Sequence, residues 1–490
     1  MLKRTVTVFS VFVFSLSVLI VRLLTVEMNH SSFASETVNG NKKVVLSVSR
    51  GCIYDRNMNK LVNENTVGKK YELNHHVFEY SFVERYSDPE FCSHIIGYIN
   101  SDSEGISGIE KSYNSLLKQF GGEQYISYSS NALGGFMGSV PCVKENNFLS
   151  DGGIVLTLDK TIQEITEKCV DDGSLDKGAA VVMDVKTSEI LAVVSRPAFD
   201  RNNLSDAVNN ENSPLINRAF GNYSVGSVFK PLIAASVLEN SNYDINAQYK
   251  CVGNIKIGDS VFYCHKKDGH GNLDFNKAMA FSCNTFFINM TKNIDIKDLL
   301  YTAEMFGINE RFEIADGMYI DEGVLPEINS SAGEKANFSF GQGKLLASPV
   351  HLAAAYAAIG NKGIYNPPLI VKAQVDRNKI PFKAVKPYPS RRVISENNAQ
   401  IIMDSLKLTV EEGSGINAKP ENTSAVGKTA TAQSGWYSDE KEINHSWFIG
   451  MFPADNPKYV VVILKENGSS GSKDCAPIFR DIALLITAYE

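Results

Sequence analysis

Ser227 and Lys230 stand three residues apart in Gly226-Ser227-Val228-Phe229-Lys230-Pro231. On a helix that spacing puts a hydroxyl and an amine on one face, within reach of each other. A serine hydroxyl alone is a poor nucleophile and becomes useful when a neighbouring base takes its proton. A lysine can be that base once burial and nearby cations lower its pKa. Serine three before lysine is common by chance, so the pair alone carries little. Two later segments add groups of the right kind. Ser282-Cys283-Asn284 offers a second hydroxyl and an amide, and Gly427-Lys428-Thr429-Ala430-Thr431-Ala432 offers a second amine with two hydroxyls. A nucleophile, a base, a relay hydroxyl and a second cation are the parts of a covalent acyl-transfer site.

These residues need a scaffold that joins distant stretches of chain. Thr157-Leu158-Asp159 opens a helical pattern, with Ile162, Ile165 and Cys169 on one face. A strand pair follows, Ala179 to Val185 and Ile190 to Ser195, with Lys186-Thr187-Ser188-Glu189 in the turn. Helical stretches fill the middle, including Val350 to Ala358. Near the end, Ser446 to Phe452 and Tyr459 to Leu464 read as two apolar strands around an Asp455-Asn456-Pro457 turn, and Pro477 to Tyr489 as a closing helix. Strands at both ends with helices between predict an α+β domain. Asp151-Gly152-Gly153 marks a boundary. The expected organisation is an N-terminal stub and apolar segment over 1–26, a linker and mostly β region over 27–150, and a larger domain over 151–490.

The composition narrows the class. The chain has 490 residues, 43% of them hydrophobic and 21% charged, which is globular and long enough for two or three domains. A net charge of −7 argues against nucleic acid as the partner. Lys3 and Arg4 precede an uncharged run from Thr5 to Val21, rich in Val, Phe, Leu and Ile. This run predicts a transmembrane helix with its N-terminus in the cytoplasm and the rest of the chain outside it. The alternative is a cleaved signal peptide, with Ser32-Phe33-Ala34 as the cleavage site. Eight cysteines spread over this length are not a disulfide scaffold. Cys251 and Cys264 flank a strand-turn-strand pattern and are candidates to pair across it. Cys264, His265 and His270 are zinc-type ligands, but their spacing fits no standard site, and neither a metal nor a cofactor is assigned. Cys283 reads as a small packing residue, His445 and Trp447 as packing beside a late strand, and Asp55, Arg56 and Glu110 as structural.

Ser-x-x-Lys, Ser-x-Asn and Lys-Thr-x, in that order, match the motif order of β-lactamases and penicillin-binding proteins. In that frame Ser282 relays a proton between Lys230 and a leaving amine. Asn284 hydrogen-bonds a substrate amide, and Lys428, Thr429 and Thr431 hold a substrate carboxylate. The backbone N–H groups of Ser227 and Thr431 form an oxyanion hole. Further stretches narrow the resemblance: Ser49-Arg50-Gly51-Cys52-Ile53-Tyr54-Asp55-Arg56-Asn57, His94-Ile95-Ile96-Gly97-Tyr98, Gly105 to Tyr113, Thr157-Leu158-Asp159, and Phe340-Gly341-Gln342-Gly343 followed by Ser348-Pro349-Val350-His351. The chain resembles a class B penicillin-binding protein of the small-pedestal type over nearly its whole length. The resemblance implies a membrane anchor, a pedestal, and a transpeptidase domain built from an antiparallel sheet flanked by helices with an all-helical lobe. It also implies peptidoglycan stem peptides ending in D-Ala-D-Ala as substrate, β-lactams as inhibitors, and a membrane-embedded glycan polymerase as partner. One departure stands out. Ala430 occupies the position where the family has glycine, on a sheet edge that substrate approaches closely. Acylation is expected to survive this methyl group. The alternatives are a D,D-carboxypeptidase or β-lactamase on the same fold, or a non-catalytic scaffold or sensor of the cell envelope.

Overall fold

The computed structural model describes residues 13–20, 37–38, 41–130, 135–438 and 441–490. They form two compact units, each discontinuous in sequence. One comprises 1–51, 63–85 and 118–151, and the other 52–62, 86–117 and 152–490. The junction after Asp151 is therefore one of several crossings. Most of the expected anchor lies outside the described residues. Within it, 13–20 is helical with its apolar side chains exposed. No helix among the described residues is long and apolar enough to cross a membrane.

The smaller unit is β-rich. Asn41–Val48 pairs antiparallel with Glu123–Ser129, which pairs with Val143–Asn146, and a separate ribbon joins Asn65–Leu73 to His76–Glu84. The Ser81 N–H donates to Gln124 Oε1 at 2.8 Å and links the ribbon to the sheet. Ser49 Oγ closes the unit by donating to Phe148 O at 2.6 Å.

The larger unit is built on a five-stranded antiparallel sheet in the order Ile190–Arg196, Gly178–Asp184, Tyr459–Lys465, Lys441–Phe452, Val426–Ser438. Both faces are covered, so the central strands read as continuous apolar runs rather than alternating ones. The alternation reappears in what each residue packs against. Val181, Met183, Val460, Val462, Trp447, Ile449, Ala430 and Ala432 share one core with the helices Lys230–Asn240 and Pro349–Gly360. Val182, Leu191, Val194, Val461, Ile463 and Phe448 share the other with Lys160–Asp172 and Ala476–Tyr489. Each fully buried Val, Leu or Ile contributes about 1.5–3 kcal/mol, so the sheet is rigid and its edge strand, Val426–Ser438, is firmly placed.

The signature stretches have identifiable structural work in this unit. Asp159 caps Lys160–Asp172 by accepting from the N–H groups of Thr161 and Ile162. Gln163 then locks that helix to the sheet, exchanging hydrogen bonds with Val193 N and O at 2.8 and 2.9 Å. Asp55 organises its own turn by accepting from Asn57 N and Asn59 N, and also accepts from Lys160 N at 3.1 Å. Arg56 pairs with Glu189 at 3.0 Å. Gly97 and Gly108 abut: a Cβ on Gly97 would lie 1.9 Å from Ser107 O, and one on Gly108 2.6 Å from Gly97 N. Ser348 caps Pro349–Gly360 through His351 N, with proline in its first turn.

Candidate active site

Ser227 sits in a short 3₁₀ turn, Gly226–Phe229, that runs straight into the helix Lys230–Asn240. Three contacts hold the turn. Gly226 N donates to Gly341 O at 2.8 Å, Tyr356 Oη donates to Val228 O at 2.7 Å, and Trp447 Nε1 donates to Ser224 O at 3.0 Å. Gly226 and Gly341 both have positive φ, at 67° and 85°, and approach so closely that a Cβ on Gly341 would lie 1.9 Å from Gly226 O. The Phe340-Gly341-Gln342-Gly343 stretch is thus the clamp behind the nucleophile. Among the described residues Ser227 Oγ has no hydrogen-bond partner, so its proton is free to turn toward a base.

Lys230 begins the helix and is fully buried. Its Nζ donates to Ser282 O at 2.8 Å, Ser282 Oγ at 3.1 Å and Asn284 Oδ1 at 2.8 Å. Burial lowers its pKa from 10.5 to about 7, against the opposing pull of Cys283 and Cys264. Ser282 joins the helices Phe275–Ala280 and Asn284–Met290 with a left-handed φ of 56°, which turns both its carbonyl and its hydroxyl toward Lys230. Lys428 is also fully buried, with Nζ 3.1 Å from Thr429 O. Burial first, and then repulsion by Lys230, hold its pKa well below the ordinary range. Of the two amines it is Lys428 whose charged form the neighbouring ammonium disfavours, while Lys230 is brought down by burial.

Above these lysines lies a cleft of about 330 Å³. Ser227, Ser282, Asn284, Thr429, Ala430 and Thr431 line it, so six of the eight residues singled out from the sequence share one opening, and the other two lie buried near it. Gln342, from the clamp stretch, also lines the cleft, as do Ser414, Gln433, His265 and Ser470, which belong to none of the three chemical motifs. Thr429 Oγ1 donates to Ser414 Oγ at 2.8 Å, which orients the threonine. Gln433 was within reach of sequence reasoning, being two residues past Thr431 on the same edge strand. Ser414 was not, because only the fold brings its loop there.

Ala430 lines the cleft at the position of the family glycine. Its side chain belongs to the inner face of the sheet with Ala432 and is only 4% exposed. A Cβ built on Gly226 would touch Ala432 Cβ at 3.0 Å and Ala430 Cβ at 3.3 Å. The methyl therefore packs toward the nucleophile turn. Ala430→Gly is expected to cost about 0.5–1 kcal/mol of stability, the usual penalty of glycine within a strand, with little change in acylation. Thermal melting together with the rate of labelling by a fluorescent penicillin checks this; a large gain in rate would place the methyl in the substrate path.

Comparison with known proteins agrees with this geometry. Residues 178–484 match the penicillin binding protein transpeptidase domain. The chain belongs to the class B penicillin-binding proteins. This penicillin-binding protein is 30% identical over 417 residues to stage V sporulation protein D of Bacillus subtilis, covering 82% of the chain and 63% of that relative. It is 26% identical over 460 residues to the peptidoglycan D,D-transpeptidase MrdA of Haemophilus influenzae, covering 82% of the chain and 69% of the relative. Penicillin binding protein 3 of Mycobacterium tuberculosis, solved with aztreonam, shares the fold with a TM-score of 0.73 at 24% identity, over 91% of this chain and 97% of that one.

Proposed function

We propose that this protein is a peptidoglycan D,D-transpeptidase that works through a Ser227 acyl-enzyme. The observation that carries the reading is Lys230, buried, depressed to about 7 and hydrogen-bonded to Ser282 and Asn284 beside a cleft that Ser227 lines. Neutral Lys230 takes the proton of Ser227 as Oγ attacks the carbonyl of a terminal D-Ala-D-Ala. The N–H groups of Ser227 and Thr431 receive the developing oxyanion. Ser282 passes the proton to the departing amine, and the terminal D-Ala leaves. Lys428, Thr429 and Thr431 hold the substrate carboxylate, and Asn284 its amide. An amine of a neighbouring stem peptide then attacks the ester, forms the crosslink and restores the Ser227 hydroxyl. A β-lactam ring opens by the same first step and leaves Ser227 blocked. In this reading the apolar N-terminal segment anchors the protein in the plasma membrane with the cleft outside the cytoplasm. The smaller unit serves as a docking surface for a membrane-embedded glycan polymerase.

The test is covalent labelling of the full chain with a fluorescent penicillin beside Ser227→Ala, followed by incubation with a D-Ala-D-Ala stem peptide and an amine acceptor. The expected result is label on the unmutated chain alone and transfer to the amine. Absence of label on the unmutated chain sinks the enzyme, and rapid turnover of nitrocefin would make it a β-lactamase.

A further inference from the structure

Cys251, Cys264, His270 and Cys283 converge at one point from four separate places in the chain. Cys251 ends the strand Tyr249–Cys251, and Cys264 follows the hairpin Asn254–Ile257/Ser260–Tyr263. His270 precedes the strand Gly271–Leu273, and Cys283 is the middle residue of the Ser282-Cys283-Asn284 turn. Their ligand atoms all lie within 4.8 Å of one another. Cys264 Sγ is 3.9 Å from Cys283 Sγ, and His270 Nδ1 is 3.4 Å from Cys264 Sγ and 3.7 Å from Cys251 Sγ. Zn–S bonds of about 2.3 Å and Zn–N bonds of about 2.1 Å, set tetrahedrally, give S–S edges of about 3.8 Å and S–N edges of about 3.6 Å. The three edges just given are already close to those lengths. A disulfide would need about 2.05 Å, and all the cysteines are free thiols.

The surroundings point the same way. The hairpin between Cys251 and Cys264 is mostly solvent-facing and has little apolar area to hold it. Small excursions of this kind are stable when something staples them. Glycines let its two ends cross tightly: a Cβ on Gly253 would lie 2.0 Å from Lys267 O, and one on Gly269 2.2 Å from Cys251 O. Cys264 N donates to Gly253 O at 2.8 Å, as the crossing requires. Thr285 Oγ1 donates to Cys251 Sγ at 3.2 Å, an outer contact of the sort that orients a metal-bound thiolate. His265, a zinc-type ligand by residue type, lines the cleft instead.

We infer that Cys251, Cys264, His270 and Cys283 form a structural Zn²⁺ site with three thiolates and a neutral imidazole as ligands. All four positions are filled by protein, so the ion is structural and does not activate water. Its place beside the active site gives it a positioning role. Cys283 lies between the two residues that hold Lys230 Nζ, so the ion would brace the left-handed Ser282 turn from behind.

The test measures metal directly on the full chain, purified without chelator and exhaustively dialysed. The expected content is about one zinc per chain. His270→Ala, at a half-buried position, is expected to lose at least about tenfold in zinc retention, and Cys264→Ser likewise. Cys142→Ser, at an exposed cysteine outside the cluster, is expected to keep its zinc. Circular dichroism separates loss of metal from loss of fold in the variants. Cobalt(II) loaded into the unmutated chain is expected to give thiolate charge-transfer absorption and tetrahedral d–d bands. The inference fails if the unmutated chain holds no zinc and gives no such cobalt spectrum. It also fails if non-reducing digestion recovers a Cys264–Cys283 disulfide, or if His270→Ala retains zinc as well as Cys142→Ser does.

Discussion

Lys230→Met is expected to fold as the unmutated chain does and to lose about 10²–10⁴-fold in the rate at which a fluorescent penicillin acylates Ser227. Methionine keeps the length and apolar stem of lysine and removes the amine proposed to accept the proton of Ser227. The unmutated rate should also fall about tenfold for each pH unit below the Lys230 pKa of about 7 and level off above it, because only the neutral amine is a base. Stability carries the same signature with a worked sign. Between about pH 7 and 10.5 the unfolded chain binds a proton at Lys230 and the folded chain does not. Stability from this group therefore rises with pH across that window and is lowest below it. Lys230→Met abolishes this contribution and leaves the one that buried Lys428 makes in the same direction. Stopped-flow labelling and thermal melting from pH 6 to 9 check both halves. Acylation by the variant within a few-fold of the unmutated chain would remove Lys230 from the role of base.

Gly341→Ala is expected to be the most damaging single-methyl change near the site. The new Cβ would lie 1.9 Å from Gly226 O and 2.6 Å from Gly226 C, at a φ of 85° that non-glycine residues rarely adopt. Neither contact is with a flexible side chain, so the backbone that carries Ser227 must shift. Left-handed strain and overpacking together give a loss of about 3 kcal/mol, and a displaced nucleophile turn costs about 10²-fold in acylation. Gly343→Ala is the control. Its φ is 86°, yet its Cβ would meet only Asn337 Cβ, at 3.3 Å. The control should pay only the left-handed strain, about 1–2 kcal/mol, and keep acylating. Melting temperatures and labelling rates for the pair check the ordering; equal damage in both would show that the close approach to Gly226 does not support the turn.

The Cys251–Cys283 cluster shows where reading along the chain runs out. Cys264 and His270 were visible as candidate ligands, but Cys251 lies 13 residues before Cys264 and Cys283 lies 13 residues after His270. The strand-turn-strand pattern joins Cys251 to Cys264 as a possible disulfide pair, but no local pattern gathers them with His270 and Cys283 around one point. Cys283 looked like packing because its neighbours, Ser282 and Asn284, already had a role. Residues 52–62 and 86–117 cluster with the larger unit, and hydrophobic pattern says that a residue is buried without saying against what.

Ser227 and Lys230 lie on consecutive turns of one short segment, so three residues of chain set their spacing, and the sequence by itself determined them. The same holds for the capped helix starts at Asp159 and Ser348 and for the strand runs of the sheet, whose periodicity is local. The tertiary structure alone decided that Ser282 and Asn284 would close on Lys230 from 52 and 54 residues away. It also decided that the methyl of Ala430 would face Gly226. Which face a strand residue takes depends on the register with Lys441–Phe452, and that register comes from packing on both sides of the sheet.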